Sequence, residues 1–234
     1  MIRANLKAVS RIETDIVSEL EKRHTVAELD PKEFTSIKIK GILHFHVKQY
    51  RIQDVGNLSL MSVNAGLMQM LSAVLTPLDK DVPAFSLDYI YMLGRRKAYV
   101  EIIDLDKERS AASQQLRGRL GSVAASYADL ENVTPASSWQ DDLILCGFYK
   151  AGKARDDDRL FTLQKEILDE MLAACDNAPL LDSSHRGIHI ADVTSYFNNL
   201  ISRGGVSTDV FKASLGEEKT RDFFSKVFFG VCNT

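Results

Sequence analysis

An acidic side chain, Asp88, stands in the middle of the apolar stretch "VPAFSLDYIYMLGRRKAYVEIIDL", Val82 to Leu105, where it could transfer a proton. Alternate side chains of a strand share a face, which groups Asp88 with the small residues Ala84 and Ser86. Small residues leave space that a ligand could fill. Desolvation in such a pocket raises the pKa of a carboxyl group, so the acid keeps a proton for donation near neutral pH. The alternatives are an ion pair with an arginine or an exposed strand position.

Two histidine pairs are weaker candidates for chemistry. His44 and His46 in "ILHFHVKQY" share a strand face, a spacing that suits two metal ligands, but the sequence offers no third ligand at a recognisable distance. Surface or core histidines are therefore the favoured interpretation. His185 and His189 in "SSHRGIHIAD" are four residues apart, and Gly187 between them favours a loop near the pocket over a helix.

The element that must position Asp88 is predicted to be a sheet. The β-rich segments of the first half are "TSIKIKGILHFHVKQYRI", "GLMQMLSAVLTP", "PAFSLDYIYML" and "RKAYVEIIDL", and "DDLILCGFYKAG" follows later as another strand. Short connections between consecutive strands predict antiparallel pairing.

Helices are predicted on either side of this sheet. Apolar residues recur at helical spacing from Ile12 to Leu20 and in "RLFTLQKEILDEMLAAC", while "DKERSAASQQLRGRLGSVAASYADL" predicts a helix of low amphipathicity, and most of the C-terminal part is helical as well. The expected fold class is α+β: a single domain over residues 1–234, an α/β/α sandwich with a central antiparallel sheet flanked by helices.

Composition limits the classes of function. The chain has 234 residues, 45% hydrophobic and 26% charged, with a net charge of -3 and a pI near 6.0, which argues against a dominating nucleic-acid surface. The sequence has neither a signal peptide nor a stretch apolar enough to cross a membrane, so we expect a cytoplasmic protein. Cys146, Cys175 and Cys232 have neither metal-site spacing nor an even count, which favours a reducing compartment.

The block "GLMQMLSAVLTPLDKDVPAFSLDYIYMLGRRKAYVEIIDL" resembles the central segment of the ferredoxin-dependent bilin reductases. Members of that family have a strand ending in proline, an Asp-Leu-Pro-like turn, a Phe-Gly-x-Asp-Leu strand, a glycine-containing turn and a strand ending in an Asp-Leu-like pair. The corresponding features are Pro77, "DVP", "FSLDYI", Gly94 and "IIDL". The resemblance implies that Asp88 is the central proton donor and that the bilin lies between the sheet and the C-terminal helices of an α/β/α sandwich.

Further matches and departures flank this block. "WQDDLILCGFYKAG" resembles a later strand of the family and implies that Lys150 contacts a bilin propionate, and "LGEEKTRDFFSKVFFG" resembles the terminal helix. Ser72 stands where some members have a catalytic histidine or asparagine, and serine cannot relay a proton as imidazole does. With Gly216 aligned, Gly205 occupies the place of a second acidic residue, and Asp209 reaches that place only if the loop is rearranged.

The resemblance implies reduction of a linear tetrapyrrole, such as biliverdin, by single electrons from reduced ferredoxin, with no bound cofactor or metal. Asp88 and Asp209 are the predicted catalytic residues, and Ser72, Ser86, Lys150 and Trp139 the predicted substrate contacts, with packing as the alternative role of Trp139. The basic turn Arg95–Lys97 would dock an acidic ferredoxin. The cytoplasm, or the plastid stroma in a eukaryote, is the expected compartment. Two alternatives are a non-catalytic bilin carrier or sensor and a structural protein with the same fold.

Overall fold

An antiparallel sheet of consecutive hairpins forms the centre of the fold. The computed structural model describes residues 2–39, 43–105, 110–204 and 206–233. Its strands are β1 (Val26–Leu29), β2 (Ser36–Ile39), β3 (Leu43–Ile52), β4 (Gly56–Ala65), β5 (Met68–Pro77), β6 (Ala84–Met92), β7 (Arg95–Ile103), β8 (Glu131–Asn132) and β9 (Ile144–Gly152). They pair in the order β1-β3-β4-β5-β6-β7-β9-β8, and β2 also pairs with β3.

Helices cover both faces of the sheet. They are α1 (Ile2–Glu21), α2 (Ala111–Ser126), α3 (Asp157–Asn177), α4 (Ser183–Arg203), α5 (Val206–Leu215) and α6 (Glu217–Phe223), and a π-helical turn, Phe224–Phe228, continues α6. Apolar residues of α1, α2 and α3 form one core with the first face of the sheet, while those of α4, α5 and α6 form a second core with the other face. The predicted α+β class and the flanked antiparallel sheet are confirmed.

A two-residue turn sets the register of β6 against β7. Leu93 and Gly94 have φ angles of 50° and 80°, and Met92 pairs with Arg95 across them. Positive φ at both central residues gives a turn whose twist matches that of the flanking strands, and glycine adopts it without steric cost. Counting back from this turn places Asp88 opposite Tyr99.

The structure differs from the sequence prediction in two respects. The sequence did not predict strands β1, β4 and β8: β1 and β8 are short, and β4 is buried on both faces, with buried polar residues such as Asn57 and Ser59 that hide any apolar alternation. The predicted loop around His185 and His189 is wrong, since both lie in α4. Asp182 begins that helix by accepting hydrogen bonds from the next backbone amides, and Gly187 is tolerated inside it.

The described helices include none that is both long and apolar enough to span a membrane.

One arginine of the predicted docking turn belongs to the core instead. Arg96 is 3% exposed, and its Nε donates to Asp157 Oδ1 at 2.9 Å while its Nη2 donates to Asn5 Oδ1 at 3.1 Å. Its guanidinium also lies 5.0 Å from the centroid of the Tyr91 ring. This side chain therefore ties α1 and α3 to β7, whereas its neighbour Arg95 is exposed.

Replacing Arg96 tests this tie. We expect Arg96→Met to lower the free energy of unfolding by about 2 kcal/mol, below the roughly 3–5 kcal/mol for breaking a fully buried pair, because Asp157 keeps 20% of its side chain exposed. The control, Arg95→Met, breaks an exposed pair with Glu131 and should change stability by less than about 1 kcal/mol. Urea unfolding measures both; equal losses would contradict a special role for Arg96.

Candidate functional site

A cavity of about 220 Å³ lies between the second face of the sheet and helices α4 to α6. Its sheet side carries the polar residues Ser72, Ser86, Asp88 and Glu101 among aliphatic neighbours. Its helix side is mainly apolar and aromatic: Val193, Tyr196, Leu200, Thr208, Phe211, Phe224, Phe228 and Phe229. Of the described residues that line the cavity, none is a lysine, arginine or histidine. The arrangement offers two acids to a largely apolar ligand.

Asp88 lies on the sheet side of this cavity, as the strand alternation predicted. It pairs with Ser72 across β5 and β6, and Ser72 Oγ donates a hydrogen bond to Asp88 Oδ1. Burial raises the pKa of Asp88, and the Ser72 hydrogen bond lowers it in part. The carboxyl group is therefore biased towards its protonated form while its hydroxyl partner can stabilise the anion. That combination suits a proton donor.

Glu101 is a second acid in the cavity, and the sequence reasoning missed it. It lies on β7 opposite Ser86, and its Oε1 accepts a hydrogen bond of 3.0 Å from the Tyr149 hydroxyl. Burial raises the pKa of Glu101, and Asp88 raises it further, whereas the Tyr149 hydrogen bond lowers it. Burial likewise raises the pKa of Tyr149, so its hydroxyl remains a donor.

A local signal for Glu101 was present in the sequence. Gly94 between two β-rich segments indicates a hairpin turn, and in the structure this turn places Met92 opposite Arg95. Pairing outwards from that point brings Glu101 opposite Ser86, on the face already assigned to Asp88. The pairing of the two strands carried this information, whereas the periodicity of one strand did not.

Trp139 lies behind the aromatic side of the cavity. Its ring centroid is 5.9 Å from that of Tyr196, which lines the cavity, and Arg203 covers the indole at 5.2 Å. Tyr196 in turn makes an edge contact of 5.8 Å with Phe229. Trp139 therefore supports the cavity wall through Tyr196, and direct stacking on a ligand stays a prediction.

Lys150 lies on the opposite face of the sheet from Asp88. It pairs with Ala98 on β7, and its ammonium donates to Tyr127 O at 2.9 Å and to Asn132 Oδ1 at 2.8 Å. Strand alternation explains the placement, because Tyr149 belongs to the cavity face and the next residue must point the other way. Lys150 therefore lies outside the cavity that Asp88 lines, and its contact with a bilin propionate stays a prediction.

Asp209 also lies apart from the cavity lining. It is exposed on α5, and a Cβ on Gly204 would come within 2.8 Å of its Oδ1, so the carboxylate lies against the turn before the helix. Thr208 and Phe211 are the α5 residues that line the cavity. Asp209 is therefore not among the residues that line the cavity, and its catalytic role stays a prediction. Gly205, the alternative position for a second donor, lies outside the described residues.

The histidines form no metal centre in the part of the chain that the structure describes, where no cluster of three or more ligands occurs. His44 and His46 are exposed on β3. The ring of His185 contacts Asp182 Oδ2 and that of His189 contacts Pro77 O, each at 2.8 Å. These two α4 histidines instead line a second cavity, of about 230 Å³, beside the first.

Comparison with known proteins adds a similarity of fold to this geometry. No protein-family model matches the chain, and no curated protein matches it either. The fold is similar to a crystal structure of phytochromobilin synthase from tomato in complex with biliverdin. The TM-score is 0.76 at 13% sequence identity, over 96% of this chain and 83% of that one. The two proteins share a fold.

The raised pKa of Asp88 predicts how stability varies with pH. Above about pH 4 the unfolded chain ionises Asp88 while the folded chain holds the proton, so this group lowers stability as pH rises until it also ionises in the folded state. Asp88→Asn cannot ionise and can still accept from Ser72. We expect Asp88→Asn to have a higher free energy of unfolding than wild type at pH 7 and to lose that advantage below about pH 4. The advantage at pH 7 is about 1.4 kcal/mol for each pH unit by which folding raises the pKa of Asp88.

Asp182→Asn is the matched control, because backbone amides at the start of α4 lower the pKa of Asp182. Its stability difference should have the opposite sign: a loss at pH 7 that disappears as the pH falls. Urea unfolding at several pH values measures both. An Asp88→Asn advantage that did not vary with pH would contradict the raised pKa.

Proposed function

We propose that this protein is an oxidoreductase that reduces a linear tetrapyrrole such as biliverdin. The observation that carries the proposal is Asp88, a half-buried acid with a raised pKa and a hydroxyl partner, in a cavity whose opposite wall is aromatic. The likeness of the fold to a biliverdin-bound phytochromobilin synthase supports the same substrate class.

The side chains that line the cavity suit a flat conjugated ligand. The side chains of Phe211, Phe228 and Phe229 offer apolar surface for pyrrole rings, and carboxyl and hydroxyl oxygens on the sheet side can accept hydrogen bonds from pyrrole N–H groups. Since two acids and no cation line the cavity among the described residues, the propionates of the ligand would extend beyond it, where water can solvate them.

The proposed reaction adds electrons and protons to a carbon–carbon double bond. Electrons arrive one at a time from reduced ferredoxin, and Asp88 gives its proton to the reduced substrate. The Ser72 hydroxyl stabilises the carboxylate that remains, which lowers the free energy of the charge-separated product. The exposed Arg95 and the half-buried Lys97 at the end of the β6–β7 hairpin provide positive charge for an acidic ferredoxin.

A bilin carrier or sensor is the second candidate, and Ser72 favours it. The side chain opposite Asp88 is a serine, which titrates outside the physiological range and cannot act as an imidazole relay. A protein with this cavity could therefore hold a bilin without reducing it. Binding without turnover distinguishes the two functions.

Anaerobic absorption spectroscopy with biliverdin and reduced ferredoxin tests the proposal. Wild type should bind the pigment and convert it to a product with a shifted spectrum. Asp88→Asn should bind with similar affinity but react about 100-fold more slowly or stall, because general-acid catalysis contributes roughly 100-fold to 10,000-fold. The control Asp54→Asn, in an exposed turn outside the cavity, should match wild type.

Each other outcome changes the conclusion. Pigment that binds to wild type and stays unchanged on addition of ferredoxin would indicate a carrier or sensor. A protein that binds no pigment would refute both functions for this ligand. Equal rates in wild type and Asp88→Asn would remove Asp88 from the reaction.

A further inference from the structure

Reduction of one carbon–carbon double bond consumes two protons, and Asp88 carries one. Resting on the proposed function, we propose that Glu101 is the second proton donor to the ligand in the same cavity. Asp88 and Glu101 would thus form a pair of acids on one strand face, each delivering a proton to a different carbon of the substrate.

Glu101 lies near Asp88 on the same face of the sheet. Asp88 lies opposite Tyr99, and Glu101 is two residues further along β7 on the same face, so the two acids are diagonal neighbours across adjacent strands. Backbone positions related in this way are about 7–8 Å apart. Both residues line the cavity and are half-buried, so both carboxyl groups can reach one ligand at separate atoms.

Both acids accept a hydrogen bond from a hydroxyl group. Asp88 accepts from the hydroxyl of Ser72 on one neighbouring strand, and Glu101 accepts from the hydroxyl of Tyr149 on another. In each case a hydroxyl group stabilises the carboxylate that remains after proton loss. Tyr149 binds only Oε1, which leaves the other carboxyl oxygen to carry the proton.

Gly147 provides a third observation, since it makes room for the tyrosine. Gly147 lies on β9 and pairs with Glu101 of β7. A Cβ on Gly147 would come within 2.5 Å of the Tyr149 hydroxyl oxygen. The absent side chain is what lets Tyr149 lie across β9 and reach Glu101. Gly147 and Tyr149 of β9 therefore together position the carboxyl group of Glu101 on β7.

Other described acids fit the role less well. Asp209 is exposed and lies against Gly204, outside the cavity lining. Tyr196 lines the cavity, but burial raises its pKa above the usual tyrosine value, so it is a much weaker acid than a carboxyl group. The titratable groups that influence Glu101 are Asp88, Tyr149 and Asp141, and they include no cation that would force it to ionise.

Two equivalents of a reduced one-electron iron–sulfur protein each give one electron and become oxidised. The π bond of the substrate is lost, and two C–H bonds form, one with the proton of Asp88 and one with that of Glu101. Both side chains are left as carboxylates, and water returns a proton to each before the next turnover.

Glu101→Gln tests the assignment, because glutamine keeps the size of the side chain and can still accept from Tyr149. Biliverdin affinity should stay within about three-fold of wild type, which also shows that the cavity is folded. Product formation should fall about 100-fold. A partly reduced intermediate should accumulate, with a spectrum that differs from the species at which Asp88→Asn stalls. The control Glu28→Gln, an exposed strand glutamate, should react like wild type.

Tyr149→Phe supplies a readout that a purely structural role would not change. It keeps the Glu101 carboxyl group but removes the hydrogen bond that lowers its pKa. We expect the alkaline limb of the rate profile, where the donor loses its proton, to move to higher pH, with a smaller loss of rate than in Glu101→Gln. Gly147→Ala should shift the profile in the same direction by displacing the tyrosine hydroxyl.

Three results would overturn the proposal. Glu101→Gln that forms the wild-type product at the wild-type rate would show that another group donates. Loss of pigment binding in Glu101→Gln would assign Glu101 to binding instead. Wild type that fails to bind or reduce the pigment would refute the proposed function, and the second donor with it, whereas a failure confined to the variants concerns Glu101 alone.

Discussion

The free energy required to hold a carboxylate in an apolar cavity that no described cation lines determines the electrostatics of the proposed site. Asp88 and Glu101 are half-buried, and none of the described residues around their cavity is a lysine, arginine or histidine. An ionised carboxylate is poorly solvated there, so the protonated form is favoured. Each acid has one hydroxyl partner, a compromise that retains the proton yet tolerates its loss. An arginine in place of Ser72 or Tyr149 would have formed an ordinary ion pair with the neighbouring acid.

The cavity exists because the two faces of the sheet are packed differently. The first face is filled by large side chains of β6, including Phe85, Leu87 and Tyr89, against α1 to α3. The second face has Ala84 and Ser86 at the corresponding level, and aromatic residues of α4 and of the segment after α6 contact one another above them. Because these rings pack on one another, they form the helix side of the cavity without filling it. Side-chain packing thus closes the first face, whereas the second face keeps the cavity in which we propose that the ligand binds.

Strand alternation explains on which face of the sheet the predicted site residues Asp88, Ser86 and Lys150 lie. It grouped Asp88 with Ser86 because both belong to one strand and differ by an even number of positions. The same rule separates Lys150 from them, since Tyr149 faces the cavity and Lys150 follows it directly. Lys150 was assigned through resemblance to a distant family, which carries a residue type across without its face. Two of its ammonium hydrogens are already donated to Tyr127 O and Asn132 Oδ1 on the other face.

The sequence by itself determined the features that depend on near neighbours along the chain. The period of apolar residues predicted most strands and helices, and the composition of β6 predicted the face on which Asp88 lies. Only the tertiary structure decided which distant segments meet. It brought the hydroxyl group of Tyr149 on β9 to Glu101 on β7, placed the C-terminal helices over the cavity and left Asp209 outside the cavity lining. The physical reason is that strand periodicity is a local property of the backbone, whereas contacts between segments far apart depend on the packing of the whole chain.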